Sequence, residues 1–225
     1  MLCKTLKIYL LLMGMVLSGA FSNGQDIHSQ QNISTKSTII EKNDLKILSW
    51  NIKMMPAPYG WFHNSVERVE NIIQALKSSE TYDVILFQEA FSRKIRKIIF
   101  DGLQSIYPYQ IIPKYQPKIL KTNSGLWVIS RNPITLIDEI SFSHLREWDK
   151  LTSKGAKLYS IIKNEQELYL INTHMQSDYK TKYNKVRTDQ YTQINKNLFL
   201  PHMKQGIPLI MCGDLNISKP SHLAS

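Results

Sequence analysis

Cysteine is scarce in this sequence, which has only two such residues among 225. Cys3 lies in the apolar segment at the start of the chain, so Cys212 stands alone in the part that we expect to fold. An internal disulfide is therefore excluded, and no cluster of cysteines and histidines provides the ligands of a structural zinc site. Because Cys212 lies in an apolar run, we expect a buried packing residue rather than a reactive thiol.

The sequence also lacks internal repeats and low-complexity segments. Its hydrophobic share of 43% and charged share of 20% are typical of a soluble globular protein. Acidic residues are outnumbered, since 18 of them face 28 lysines and arginines, which gives a formal net charge of +10. This surplus favours polyanionic partners such as nucleic acid, anionic lipid surfaces and phosphate esters, although a solvated basic surface explains the charge equally well.

The first 20 residues have the pattern of a secretory signal peptide. Two lysines precede an apolar run from Ile8 to Leu17, and a small-residue cleavage pattern ends at Ala20. We therefore expect a secreted protein that is cleaved near Ala20. Residues 21–44 are mostly polar and weakly periodic, which is typical of a leader or linker. A single domain is expected over residues 45–225.

Strands and helices alternate along this domain. Apolar runs and period-two patterns predict the strands, and helical spacing of apolar residues predicts the helices. In the second predicted helix this spacing places four side chains towards the core: Ile95, Ile98, Ile99 and Leu103. Mixed strands with helices between them predict an α/β or α+β fold, a two-layer β-sandwich flanked by helices. The predicted strands are 45–52, 83–89, 124–131, 134–142, 156–164, 167–174 and 207–214, and the predicted helices are 63–79, 91–107 and roughly 180–199.

Chemically versatile side chains recur where the predicted strands end. They are Asn51, Glu89, His174, Asp214 and Asn216. One polar residue at a strand end is usually a turn or cap residue. Five such positions, each with an acid, an amide or an imidazole, instead predict a shared crevice at one edge of the sheets.

These residue types suit phosphoryl chemistry. The carboxylates of Glu89 and Asp214 are hard oxygen ligands of the kind that Mg²⁺ prefers. The amides of Asn51 and Asn216 can hold a water, a carboxylate or a phosphoryl oxygen, and His174 can donate to an oxygen on which charge develops. The set therefore predicts Mg²⁺-assisted attack of water on a phosphorus atom.

Five motifs, "LSWNI", "LFQEAF", "SGLWVISRNPI", "LINTHMQ" and "GDLN", stand in one order from Leu45 to Asn216. In that order they resemble the endonuclease/exonuclease/phosphatase superfamily, which implies a DNase I-like fold. The resemblance implies that Glu89 binds Mg²⁺ with Asn51 beside it, and that His174 stabilises charge on the phosphoryl group. It also implies that Asp214 holds or activates the nucleophilic water and that Asn216 contacts the phosphate.

Within the superfamily, "QEAF" and "WDKLTSKGAKLYSI" resemble the bacterial neutral sphingomyelinases. That branch implies a secreted phosphodiesterase that cleaves sphingomyelin at a membrane surface to ceramide and phosphocholine, and it implies no protein partner. Asp149 would orient a neighbouring basic or imidazole group, and Lys154 would lie near the crevice, so both are expected to help bind the substrate.

Two alternatives remain open. The basic charge permits a Mg²⁺-dependent nuclease of the same superfamily, with nucleic acid as the substrate. The superfamily's Ser-Asp-His motif has no counterpart after "GDLN", because His222 lacks the preceding aspartate. We therefore expect a C-terminally truncated domain without its last strands, of doubtful activity, and the second alternative is a non-catalytic remnant that binds lipid or phosphate.

An aromatic loop follows Asn51. It contains Tyr59, Trp61 and Phe62 among prolines and a glycine. These side chains can touch lipid or a substrate head group, or they can pack on the helix that follows, and the sequence favours neither interpretation.

Overall fold

A computed structural model of the chain describes residues 44–55, 66–78, 82–114, 122–177 and 181–217. The signal peptide, nearly all of the leader and the aromatic loop at Tyr59, Trp61 and Phe62 lie outside the described residues. The strands are β1 (Ile47–Met54), β2 (Val84–Ala90), β3 (Tyr109–Ile111), β4 (Trp127–Ser130), β5 (Ile134–Ser141), β6 (Gly155–Lys163), β7 (Gln166–His174) and β8 (Leu209–Asp214). The main helices are α1 (Val66–Ser78), α2 (Arg93–Leu103) and α3 (Asn184–Ile194).

Two mixed sheets form the centre of the fold. The first has the order β1-β2-β4-β3, with β1 parallel to β2 and the other pairs antiparallel. The second has the order β5-β6-β7-β8, with β7 parallel to β8 and the other pairs antiparallel. Each sheet thus contains one parallel pair, and the carboxyl ends of the strands in such a pair lie at the same edge.

The sheets pack face to face over an apolar layer, as the sequence predicts. Alternate residues of β2 divide between two cores: Val84 and Leu86 face the second sheet, whereas Ile85 and Phe87 face the helices. The layer between the sheets also contains Cys212, and burial raises the pKa of its thiol to about 11. This burial confirms the expectation of a packing cysteine, and the raised pKa disfavours the reactive thiolate.

Helices cover both outer faces. Ile73 and Leu76 of α1 and Ile99 of α2 pack on the first sheet. Ile194 at the end of α3 and Leu198 beyond it pack on the second. The result is a two-layer sandwich with helices outside. Among the described residues, no helix combines the length and the apolar character needed to cross a membrane.

The inward face of α2 is narrower than predicted. Ile95, Ile99 and Leu103 are buried as expected, but Ile98 is 40% exposed, so its predicted position was wrong. The buried face includes Arg96 instead, whose guanidinium donates hydrogen bonds to the carbonyls of Ala90 and Phe91. Apolar spacing located the helix correctly but did not reveal that an arginine would occupy the edge of its buried face.

Two element boundaries also differ from the prediction. The third helix begins at Asn184 after a 3₁₀ turn (Thr181–Tyr183), and it continues through a π-helical turn (Asn195–Phe199) to His202. The short strand β3 was not predicted, because three residues carry no periodic signal and its existence depends on pairing with β4. Strand β8 is outermost in the second sheet among the described residues, and the expected absence of later strands stays a prediction.

A buried amide pair joins the two sheets directly below the predicted crevice. Gln88 Nε2 donates to Asn172 Oδ1 over 2.7 Å, and Asn172 Nδ2 donates to the carbonyl of Phe87 over 3.1 Å. Both side chains are almost fully buried, so breaking this pair leaves unsatisfied polar groups in the core. The pair thereby fixes Glu89, the residue after Gln88, relative to the end of β7.

Gly213 allows β8 to pair closely with β7. Its φ is +142°, and a Cβ there would lie 2.0 Å from the carbonyl oxygen of Thr173. We expect Gly213→Ala to lower the free energy of unfolding by about 3 kcal/mol, measured by urea denaturation, because strain adds to a backbone clash.

Gly206→Ala is the matched control for this prediction. Gly206 also has a positive φ, +82°, but an added Cβ would meet nothing within 4 Å. Gly206→Ala should lower the free energy of unfolding by about 1 kcal/mol, from backbone strain alone. Equal losses in the two variants would contradict the proposed clash with Thr173.

Candidate active site

One amide group links carboxylates from both sheets at the predicted crevice. Asn51 Nδ2 donates to Glu89 Oε1 over 2.7 Å and to Asp214 Oδ2 over 2.8 Å. Asn51 and Glu89 belong to neighbouring strands of the first sheet, whereas Asp214 ends β8 of the second. The amide therefore holds two carboxylates close together that would otherwise repel each other.

His174 lies against the same two oxygen atoms. Its Nε2 is 3.9 Å from Glu89 Oε1 and 3.8 Å from Asp214 Oδ2. The ring is 2% exposed, and Nδ1 has no hydrogen-bond partner among the described residues. Burial, aided by the positive charge of Lys154, holds the pKa of His174 well below its ordinary value. This shift favours the neutral form of the imidazole.

The backbone is strained where it presents Glu89. This residue has a φ of +54°, which is rare for a side chain other than glycine. On the neighbouring strand, the pairing register shifts between Asn51 and Met54, and Lys53 within this bulge has a φ of +49°. Bulges and strained residues of this kind commonly aim side chains at functional sites.

Burial governs the charge of Glu89. Desolvation raises the pKa of its carboxyl group, and the negative charge of Asp214 acts in the same direction. The hydrogen bond from Asn51 and the charge of Lys154 oppose this rise. A cation at this position would favour the ionised form, because it would offset both burial and the repulsion from Asp214.

Asn216 lies behind the carboxylate pair. Its backbone N–H donates to Asp214 Oδ1 over 3.0 Å, and its Nδ2 donates to the carbonyl of Met175 over 3.1 Å. Both oxygens of Asp214 thus accept a hydrogen bond, which fixes the orientation of the carboxylate. The predicted contact between Asn216 and phosphate stays a prediction, since its amide group here supports the segment after β7.

Asp149 and Lys154 form a buried ion pair next to this group. Their charged atoms are 3.0 Å apart, and Lys154 Nζ also donates to the carbonyl of Met175 over 3.0 Å. Asp149 accepts from the backbone N–H and the hydroxyl of Ser177 over 2.7 and 2.9 Å. Asp149 therefore orients a basic group, as expected, while substrate binding by either residue stays a prediction.

The sequence interpretation missed how the segment after His174 is held. Gln176 accepts from the backbone N–H of Arg146, and its own N–H donates to Gln190 Oε1 over 2.9 Å. Arg187 donates to the carbonyl of Gln176. These contacts join parts of the chain that are far apart in sequence, so no local pattern predicts them. The only sequence signal for Gln176 was its place in the motif "THMQ".

The arrangement has the chemistry of a divalent cation site. One ligand atom each from Glu89, His174 and Asp214 lies within 4.8 Å of the others. Two carboxylate oxygens held this close together suit a hard cation, and the imidazole of His174 lies beside them. The structure thus brings together the strand-end residues that the sequence singled out.

A profile of the Endonuclease/Exonuclease/phosphatase family matches residues 48–223. This match covers most of the chain and includes every residue of the site described above. The chain therefore belongs to the Endonuclease/Exonuclease/phosphatase family.

The curated relatives include several sphingomyelinases. Sphingomyelinase C of Leptospira interrogans is 27% identical over 91% of this chain and 40% of its own length. A sphingomyelinase of Dictyostelium discoideum is 28% identical over 69% of this chain and 42% of its own length. Sphingomyelinase C of Bacillus cereus is 23% identical over 92% of this chain and 68% of its own length. The chain thus spans less than half the length of the first two relatives.

Solved structures confirm the predicted DNase I-like sandwich. A mutant beta toxin from Staphylococcus aureus, determined with bound magnesium ions, has a TM-score of 0.69 and 23% identity over 80% of this chain and 67% of its own. TDP2 from D. rerio, complexed with a single-strand DNA product, has a TM-score of 0.58 and 17% identity over 78% of this chain and 62% of its own. At these identities the likeness establishes the fold.

The buried ion pair yields a test of the electrostatics. Lys154→Met leaves the charge of Asp149 buried without its partner, so we expect the free energy of unfolding to fall by about 3–5 kcal/mol. The same change removes a positive charge near His174, so the pKa of His174 should rise. Urea denaturation and NMR titration of the imidazole measure the two effects.

Two variants control this test. Lys150→Met removes a charge from an exposed neighbour and should change neither quantity. Asp149→Asn combined with Lys154→Met removes both buried charges and should be more stable than Lys154→Met alone. A double variant no more stable than the single one would show that the ion pair does not control stability.

Proposed function

We propose that the protein is a secreted, Mg²⁺-dependent phosphodiesterase that hydrolyses sphingomyelin to ceramide and phosphocholine. The observation that carries this proposal is the pair of carboxylates, Glu89 and Asp214, that Asn51 holds together beside the neutral imidazole of His174. Family membership supports hydrolysis of a phosphate ester, and the relatives named sphingomyelinase support the lipid substrate. Secretion is inferred from the apolar segment in residues 1–20.

The donor set of the site suits magnesium. Glu89 and Asp214 would hold the ion, because carboxylate oxygens are its preferred protein ligands and a buried carboxylate pair needs a counter-charge. When bound, Mg²⁺ would supply Lewis-acid polarisation of a phosphoryl oxygen. The magnesium ions in the beta toxin structure support the same choice of cation.

His174 is suited to donate a hydrogen bond to the phosphoryl group. Nδ1 is buried without a partner among the described residues, and a buried acceptor without a partner costs less than a buried donor. We therefore assign the proton of the neutral ring to Nε2, which is also the nitrogen nearer to the carboxylates. The Nε2–H group can then stabilise charge that develops on a phosphoryl oxygen.

Asp214 is suited to orient the attacking water. Its two oxygens are fixed by hydrogen bonds from Asn51 and from the backbone of Asn216, so the remaining lone pairs point in defined directions. Its carboxylate can accept a proton from water as the oxygen of that water bonds to phosphorus. The bond between phosphorus and the ceramide oxygen then breaks, and that oxygen takes a proton from solvent as ceramide leaves.

Hydrolysis of sphingomyelin vesicles tests the proposal. The full chain should release phosphocholine in the presence of Mg²⁺, and EDTA should abolish the release. Glu89→Gln removes one negative charge from the ion's ligands without changing the size of the side chain, so we expect it to lower the rate by about 10²–10³-fold. Release is measured by an enzyme-coupled choline assay.

Glu70→Gln is the matched control, because Glu70 is exposed on α1 and outside the site. It should retain the wild-type rate. Folded protein that releases no phosphocholine with Mg²⁺ would contradict the proposed function for this chain, and retained vesicle binding would then favour a non-catalytic lipid-binding protein.

A nuclease is the second candidate, favoured by the structural likeness to TDP2 in its complex with DNA and by the net charge of +10. Plasmid nicking that falls steeply with added salt would support it, because contacts with the phosphate backbone release counterions. Sphingomyelin hydrolysis without nicking would exclude it.

A further inference from the structure

A basic cleft opens beside the active site. It has a volume of about 480 Å³ and is lined by His144, Arg146, Lys182, Lys185 and Asp189, together with Tyr183 and Val186. The residues come from two segments: the loop before the 3₁₀ turn at Glu147–Leu151, and the stretch that runs from the 3₁₀ turn at Thr181–Tyr183 into α3. None of these side chains takes part in the proposed hydrolysis.

Positive charge dominates this cleft. Arg146 and Lys185 are exposed, and within the described part of the chain neither has a carboxylate within 4.0 Å. Lys182 is already paired with Glu147 at 3.2 Å. Arg146 and Lys185 are thus the two cations in the lining that remain available to an anionic ligand.

The start of α3 adds to the attraction for anions. Tyr183 is the residue at the N-cap position, and its side chain makes no capping hydrogen bond. The first turn of a helix carries partial positive charge and N–H donors, so an anion near Lys185 would also interact with the helix terminus. A phosphate group is the anion that such a combination of arginine, lysine and backbone donors binds well.

The cleft is rigidly connected to the site. Gln176 exchanges hydrogen bonds with the backbone of Arg146 over 2.8 and 3.3 Å. Gln176 follows His174 by two residues, so their Cα atoms are at most about 7 Å apart. Arg187 of α3 donates to the carbonyl of Gln176, so both walls of the cleft are fixed to the segment after β7.

Two exposed apolar side chains lie on segments that are hydrogen-bonded to the segment after β7. Leu151 is 39% exposed at the end of the 3₁₀ turn that contains Asp149, and Ile217 is 68% exposed directly after Asn216. Basic and aliphatic side chains on segments that are hydrogen-bonded to one stretch of chain suit an anionic lipid surface, where the charges meet phosphates and the aliphatic groups enter the interface. Nucleic acid would leave the aliphatic groups without partners.

We propose that this cleft binds the phosphate of an anionic phospholipid next to the substrate in the membrane. Arg146 and Lys185 are the contacting residues, and they hold the site against the lipid surface without entering the reaction. The inference rests on the proposed function, since a lipid surface is the place where a sphingomyelin-cleaving enzyme works.

Vesicle binding with EDTA present tests the cleft separately from hydrolysis. The full chain is titrated with vesicles of sphingomyelin alone and of sphingomyelin mixed with an anionic phospholipid. Wild type should prefer the mixed vesicles. Arg146→Gln with Lys185→Gln should weaken binding to mixed vesicles by about 30-fold, because each basic side chain near an anionic surface contributes about 1 kcal/mol.

The control variant removes the same charge elsewhere. Lys77→Gln with Lys196→Gln changes two exposed lysines on the outer helical segments and should retain most of the preference for anionic vesicles. Arg146→Lys with Lys185→Arg keeps the charges and should bind as wild type does. An equal loss of binding to mixed vesicles in the Arg146/Lys185 and the Lys77/Lys196 glutamine variants would overturn the proposal. The loss would then follow from net charge and not from the cleft.

Two competitors identify the source of the phosphate. Inorganic phosphate should displace the protein from mixed vesicles only weakly, because it offers no surface for Leu151 and Ile217. A single-stranded oligonucleotide that binds more tightly than mixed vesicles, and loses that binding in the Arg146 and Lys185 variant, would overturn the lipid assignment. Absence of phosphocholine release would refute the proposed function but would leave these binding results interpretable.

Discussion

The site depends on one amide group that donates to two carboxylates from different sheets. Asn51 Nδ2 contacts Glu89 within the first sheet and Asp214 at the end of the second. Without these donors, burial and mutual repulsion would separate the carboxylates or protonate one of them. His174 contributes no charge, because its burial and the nearby charge of Lys154 keep the ring neutral.

Several packing constraints serve this geometry. The Gln88–Asn172 pair fixes the two sheets against each other one layer below the site. Gly213 permits the close pairing that brings Asp214 beside His174, and the strained backbone at Glu89 turns its carboxylate towards them. The same segment after β7 is hydrogen-bonded both to Asn216 in the site and to Arg146 in the lining of the basic cleft.

Sequence reasoning located the strand-end residues because parallel strands bring their ends together and the motifs occur in a recognisable order. It also gave the sandwich and most of the strands. It placed Ile98 inward wrongly, since apolar spacing does not reveal that Arg96 occupies that edge. The role of Asn51 between the sheets and the cleft at Arg146 and Lys185 depend on contacts between distant segments, which no local pattern records.

The most direct test of this account is the calorimetric titration of Mg²⁺ into wild-type protein and into Asn51→Leu. Leucine matches the size of asparagine but cannot donate to either carboxylate. The account predicts that wild type binds Mg²⁺ and that the variant, still folded, binds it at least about tenfold more weakly, a loss of roughly 1.4 kcal/mol. Equal affinity in the two proteins would contradict the claim that the amide of Asn51 assembles the metal site.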